Sequence, residues 1–116
     1  MSMDLDFWKY KQNVEHNHKE VYEQACCGGI ELPVLETLPI GEIRAKIAEV
    51  FRDWTTVEKD TYEKSGHGSF SVFTTSQIVR FDCYDMGGDE MNLFIDIMAE
   101  YGCALYDPQT SERFEW

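Results

Sequence analysis

This sequence predicts an α+β fold: one antiparallel sheet of about four strands with three helices on one face, a ferredoxin-like sandwich. Three observations carry the prediction. Apolar residues recur with period two and period 3.6 in separate segments, in the order β, α, α, β, β, α, β. A length of 116 residues with 43% apolar positions suits a single core, so residues 1–116 are expected to form one domain. Turn-forming residues such as Gly28, Gly29, Pro33, Pro39, Gly87, Gly88 and Pro108 fall between the patterned segments and not inside them.

Each element has its own signal. Residues 3–9 alternate, with Met3, Leu5 and Phe7 to one side and Asp4, Asp6 and Trp8 to the other, which makes a half-buried strand. Val14, His18, Val21, Tyr22 and Ala25 form one helical stripe, with Asn13 as N-cap and Gly28 as terminator. Residues 28–39 read as a connecting loop. Ile43, Ile47, Val50, Phe51 and Trp54 make a second stripe, ending near Trp54. Residues 55–68 are polar and close on Ser65-Gly66-His67-Gly68, with a short edge strand possible between Val57 and Tyr62. Phe70–Thr74 and Gln77–Tyr84, rich in β-branched and aromatic residues, flank Thr75-Ser76 and predict a hairpin with Val79, Phe81 and Cys83 facing the core. Asp89 caps a third helix that buries Met91, Phe94, Ile95, Met98 and Tyr101 and closes at Gly102. Cys103–Asp107 is a last short strand, and Gln109–Trp116 a polar tail whose Phe114 and Trp116 are candidates to dock back.

Charge is the feature that bears on function. Twenty-two acids against ten Lys and Arg give a net charge of −12. Residues 1–80 contribute −4, and residues 81–116, where Arg113 is the single base, contribute −8. In the first two helices opposite charges alternate at i, i+4, as in Glu15-Lys19-Glu23 and Glu42-Lys46. The third helix carries Asp89, Glu90, Asp96 and Glu100 with no base, and its Asp96-Glu100 spacing is a like-charge pair that costs a few tenths of a kcal/mol. Surplus acid on a small domain ordinarily serves solubility. A local rule broken without repair instead suggests a functional surface. The expected surface comprises Asp82, Asp85, Asp89, Glu90, Asp96, Glu100 and Asp107, joined by Asp4, Asp6, Trp8 and Tyr84 from the open sheet face. Duplex DNA presents one charge per about 1.7 Å, so such a surface would compete with nucleic acid for a basic DNA- or RNA-binding protein without touching nucleic acid itself. Trp8 and Tyr84 would serve as anchors.

The remaining constellations are less specific. His16-x-His18, placed on a helix, would diverge by about 200° and could not share a metal. Ser65-Gly66-His67-Gly68-Ser69 lacks the frameworks of a phosphate loop or a nucleophile elbow, so a small enzyme using His67 with Asp82 or Ser69 is a distant alternative. Asp82, Asp85 and Asp89 lack calcium-loop spacing. Cys26, Cys27, Cys83 and Cys103 are expected as free thiols. No cofactor, metal or catalytic residue is expected. The first ten residues lack the basic and apolar regions of a secretory signal, and no run reaches the length of a membrane span; the cytoplasm is the expected compartment. A monomer is expected, because the open face carries Asp4, Asp6, Arg80 and Asp82.

Two segments add a resemblance. The opening Ser2-x-Asp4-Leu5-x-Phe7-Trp8 and the closing Tyr101-Gly102-x-Ala104-x-Tyr106-Asp107-Pro108-Gln109-Thr110-x-Glu112-Arg113-Phe114 are similar to small bacterial α+β proteins, some of toxin and immunity-protein loci. The acidic character also resembles bacterial DNA-mimic proteins, which occupy nucleoid-associated or regulatory DNA-binding proteins in place of DNA. The resemblance implies a competitive inhibitor of a histone-like nucleoid protein or, alternatively, an immunity protein for a nuclease toxin.

Overall fold

The computed structural model describes residues 2–114. Its strands are β1 (Ser2–Trp8), β2 (Thr55–Glu58), β3 (Thr61–Lys64), β4 (Gly68–Thr74), β5 (Ile78–Tyr84), β6 (Ala104–Asp107) and β7 (Glu112–Phe114). All pair antiparallel in one sheet, in the order β2-β3-β4-β5-β1-β6-β7. The helices are α1 (His18–Val21), which continues as a π-helical turn over Tyr22–Cys27, then α2 (Ile40–Val50) and α3 (Gly88–Ala99).

The fold is α+β, but the four-stranded ferredoxin-like sandwich is corrected in two respects. The sheet has seven strands. The helices also divide between its faces. On one face α2 and α3 cover Leu5, Phe7, Phe70, Val72, Val79, Phe81 and Cys83. On the other, Val21, Ala25 and Cys26 of the α1 and π-helical turns, together with Leu35, cover Trp8, Tyr10, Ile78 and Tyr106. The short edge strand expected between Val57 and Tyr62 is instead a hairpin of two strands, β2 and β3, and the β7 edge was not expected at all. Strand β2 is exposed along its whole length, and β7 is three residues of which Arg113 alone is half-buried, so neither produces apolar alternation. Arg44 of α2 holds the β2–β3 hairpin in place, donating to Asp60 Oδ1 at 2.7 Å and to Thr74 Oγ1 at 2.9 Å.

The central elements follow the sequence pattern closely. Strand β5 buries Val79, Phe81 and Cys83 on the α2/α3 side, as alternation requires. Around them Phe94 stacks on Phe81 with centroids 4.0 Å apart, and Phe51 and Phe70 meet Phe94 at 5.2 and 4.8 Å. Helix α3 starts one residue before Asp89, with Gly87 in the cap position, and ends through Gly102, whose φ of +73° lets the Cys103 amide reach back to the Met98 carbonyl at 3.1 Å. Helix α2 ends at Val50, earlier than the stripe suggested; Trp54 is carried past the helix end to pack on Phe51 and Phe70.

The first helix differs most. Residues 13–17 stay non-helical, and Asn17, not Asn13, caps α1 by accepting from the Glu20 amide. The 28–39 loop is fixed under the same face by Gln77, which is buried among apolar residues: its Oε1 accepts from the Leu32 amide at 2.8 Å and its Nε2 donates to the Leu32 and Leu35 carbonyls. Trp116 lies outside the described residues.

Gly68 marks the tightest backbone approach. Its φ is +94°, and an added Cβ would lie 2.4 Å from the Tyr84 carbonyl oxygen and 2.6 Å from that of Asp85. Gly66, at +82°, has open space around it. Replacing Gly66 by Ala should therefore cost about 1 kcal/mol for its left-handed backbone alone, and Gly68→Ala about 3 kcal/mol, in urea unfolding. Equal costs would show that the β5 end moves away without penalty.

Candidate functional site

The acids of the last third divide into distinct settings. On α3, Asp89, Leu93, Asp96 and Glu100 fall at i, i+4, i+7 and i+11, and all four are exposed. They form the outer stripe of the helix, opposite buried Phe94, Ile97 and Met98. Leu93, 38% exposed, sits in the middle of this stripe. Neither Asp89 nor Asp96 makes an ion pair among the described residues, and Asp89 lies in the first turn, where the helix dipole favours it. Glu100 has a cation near it, Lys46 of α2, at 3.7 Å. Burial together with the charges of Glu42 and Glu100 raises the Tyr101 phenol above its usual range, which places Glu42 of α2 in the same negative field.

Other members are occupied. Glu90 accepts from His67 Nδ1 at 2.8 Å, and that hydrogen bond holds its carboxyl below the usual range. Asp107 Oδ1 accepts from the Gln109 amide at 2.9 Å, an Asx turn at the strand end. Asp85, with φ of +56°, and Tyr84, 46% exposed, follow the end of β5, where Asp85 leads towards α3. His67, the one residue on which an enzyme reading rested, is thus bonded to Glu90; no hydrogen bond among the described residues joins it to Asp82 or Ser69.

The second sheet face is where expectation and structure part. Asp4, Asp6, Trp8, Arg80, Asp82 and Tyr84 do share that face, but Asp6 and Trp8 are both fully buried and cannot be contact residues. The reason is the π-helical turn, which lies over β1 and β5 and removes the middle of the face from water. Beneath it, Asp4 stands directly across from Asp82, and Asp6 across from Arg80. Two carboxylates opposed in this way repel. Tyr22 relieves Asp4 by donating to its Oδ2 at 3.0 Å, and Arg80 relieves Asp82 with Nε 3.3 Å from Oδ2. Arg80 also donates to the Cys26 carbonyl and lies over the Phe73 ring at 4.7 Å. Neither oxygen of Asp6 makes a hydrogen bond of ordinary geometry among the described residues, although the Asp4 carboxyl and the Cys26 thiol lie beside it. Its carboxyl is pushed up to about 9, by burial first and the adjacent Asp4 second, with the Cys26 thiol and Arg80 opposing. Asp6 is therefore a neutral acid at pH 7 and adds nothing to an anionic surface.

All four cysteines are free, three of them buried and Cys27 exposed. Burial raises the Cys26 thiol far above its ordinary value and pushes Cys83 and Cys103 up to about 12, which makes these three poor nucleophiles.

A cationic corner was not legible beforehand. His16 precedes α1 and is not helical, so the divergence argued for His16 and His18 does not apply. Instead the His16 ring stacks on Tyr10 at 3.9 Å, and the Tyr10 hydroxyl bonds His18 Nδ1 at 2.8 Å. Arg113 of β7 lies 4.8 Å from the Tyr10 ring and 5.6 Å from the Trp8 ring, and donates to the Trp8 carbonyl at 2.8 Å. Its contact partners are about a hundred positions away in sequence, and no local pattern announces them. Among the described residues no group of three His, Cys, Asp or Glu side chains is arranged to hold a metal ion, and no helix is long and apolar enough to cross a membrane. No protein-family model, curated protein or solved structure matches this chain, which leaves the geometry of its own residues as the guide to what it does.

Proposed function

We propose that this chain is a non-catalytic acidic binding protein that sets the outer face of α3 into the nucleic-acid groove of a basic DNA- or RNA-binding protein and so competes with the nucleic acid. One observation carries the reading: Asp89, Asp96 and Glu100 line a single exposed stripe of α3 that contains no base and has an exposed leucine at its centre. The stripe spans about 16 Å, with neighbouring carboxylates about 6 Å apart at the i, i+4 step. Charge supplies steering and register, and Leu93 supplies the desolvated contact that charge alone lacks. Lys46 beside Glu100 is half-exposed, and a surface pair of that kind is worth under about 1 kcal/mol, less than a partner's arginine can return. Relative to the surface expected from sequence, the proposed face drops Asp6 and Trp8 and centres on α3, with Glu42 at its border.

A histone-like nucleoid protein is the partner class that presents such a groove without an enzyme around it, and it is the probe for the test. Its binding should weaken at least about tenfold between roughly 50 and 200 mM NaCl, and duplex DNA should displace it. Combined Asp96→Lys and Glu100→Lys should weaken binding by more than about tenfold, whereas Glu15→Lys with Glu23→Lys, on the opposite side of the sheet, should change it less than about threefold. A salt-independent affinity, or equal effects of the two pairs, would remove the basis for a docking face on α3.

A further inference from the structure

A cleft of about 390 Å³ opens between α1 with its π-helical continuation and the 32–34 segment of the long loop. Its floor is apolar: Val21 is buried, and Leu32 and Val34 are half-buried against the same cluster. Glu15 and Glu20, both exposed, stand at its rim, and no lysine, arginine or histidine among the described residues lines it. We propose that this cleft binds a small alkylammonium ion, with the apolar stem against Val21, Leu32 and Val34 and the ammonium group on the Glu20 carboxylate.

Both walls are held from behind. On the loop side, Gln77 accepts from the Leu32 amide at 2.8 Å and donates to the Leu32 and Leu35 carbonyls, and the Val34 carbonyl accepts from the Lys11 amide at 2.9 Å. On the helix side, Asn17 caps α1 by accepting from the Glu20 amide at 3.1 Å, and the Val21 amide donates to the Asn17 carbonyl at 3.0 Å. A cleft fixed before its ligand arrives loses little conformational freedom on binding. The same scaffold aims the Glu20 carboxylate: Asn17 Nδ2 donates to Oε2 at 3.1 Å and Gln24 Nε2 to Oε1 at 3.3 Å. Both donors are neutral amides, and neither Glu15 nor Glu20 forms an ion pair among the described residues, so Glu20 is oriented without being neutralised. Its oxygens keep lone pairs for further donors, and an ammonium group brings three N–H bonds to them. The two halves of the cleft together select the ligand class. No group of three His, Cys, Asp or Glu side chains among the described residues is arranged for a metal ion, and a bare ion would gain nothing from the apolar floor. A neutral hydrocarbon would make no use of the carboxylate, and the rim repels anions. A volume near the lower end of small-molecule sites, about 300–1,000 Å³, suits a stem of a few carbons.

The test titrates the full chain with n-butylamine at pH 7, where the amine is protonated, in roughly 150 mM NaCl to screen distant charges, and follows amide chemical shifts. Shifts should concentrate at residues 15–24 and 32–34, with a dissociation constant on the order of 1 mM. Methylamine, which has the charge without the stem, should bind at least about tenfold more weakly, and so should 1-butanol, which has the stem without the charge. Glu20→Gln should weaken butylammonium binding at least about fivefold. Glu23→Gln, on the π-helical turn but outside the cleft, and Asp96→Lys on α3 should each change it less than about twofold. If Glu20→Gln fails to fold, the comparison of the three probes on the parent protein decides the matter. Equal affinity for methylamine or 1-butanol, equal losses from Glu20→Gln and Glu23→Gln, or shifts spread over the acids of α3 would overturn the proposal. The cleft lies on the sheet face opposite α3, so this result and that of the competition experiment are independent.

Discussion

Asp6→Asn should raise the stability of the protein at pH 7 by up to about 4 kcal/mol and have almost no effect at pH 4. The carboxyl is fully buried, makes no hydrogen bond of ordinary geometry among the described residues, and is pushed from 3.8 up to about 9 by burial first and the neighbouring Asp4 second. A folded state that keeps a proton which the unfolded chain has released loses stability as pH rises. The stability is whole below pH ~4 and drains away through pH ~9, at 1.36 kcal/mol for each unit between 3.8 and the working pH. Asparagine has the shape of the neutral acid and no such titration, so the difference between variant and parent should grow along that window. Chemical denaturation at pH 4, 5.5 and 7 measures it directly. A difference that stays constant across the three would mean that Asp6 is ionised in the fold and that its charge is satisfied.

Phe94→Ala should cost about 3–5 kcal/mol, a third or more of the stability of a domain this size, and lower the melting temperature by roughly 15 °C. Phe94 is fully buried, stacked on Phe81 and in contact with Phe51 and Phe70, so β5, β4 and the end of α2 lose a shared partner at once. Stacked phenyls add to area burial, and a cavity at the junction of α2, α3 and the sheet has rigid walls that cannot close. Leu93→Ala, one residue away on the exposed stripe, should cost less than about 1 kcal/mol while weakening partner binding. Thermal melts of the two variants separate packing from docking. A similar loss from both would mean that the outer face of α3 is packed and not presented.

These variants also show where sequence reasoning works. Phe94, Met98, Phe81 and Val79 are legible because an element with one buried face must repeat its apolar residues at its own period. The acidic stripe of α3 is legible on the same ground, since a period that fixes the inner face fixes the outer one. Strand β7 is not, and β2 with β3 gave only one short candidate strand in place of a hairpin: an edge strand with neither face buried gives little pattern, and its place depends on partners such as Arg44 bonded to Asp60. The π-helical turn is invisible for another reason. Val21, Tyr22 and Ala25 show a helical stripe but do not say which face of the sheet they cover, and that single choice turned Asp6 and Trp8 from expected surface residues into buried ones.

Local periodicity and composition are enough to set the α+β class, the central hairpin, the inner faces of α2 and α3, and a net charge weighted to the last third. Tertiary structure alone decided the second layer over the sheet, the neutral state of Asp6, the pairing of Glu90 with His67 and of Glu100 with Lys46, and the gathering of Lys9, Lys11, His16 and Arg113 around one cleft. The physical reason is range: periodicity is set by neighbours along the chain, whereas desolvation and charge pairing depend on groups that meet only after the chain has closed on itself.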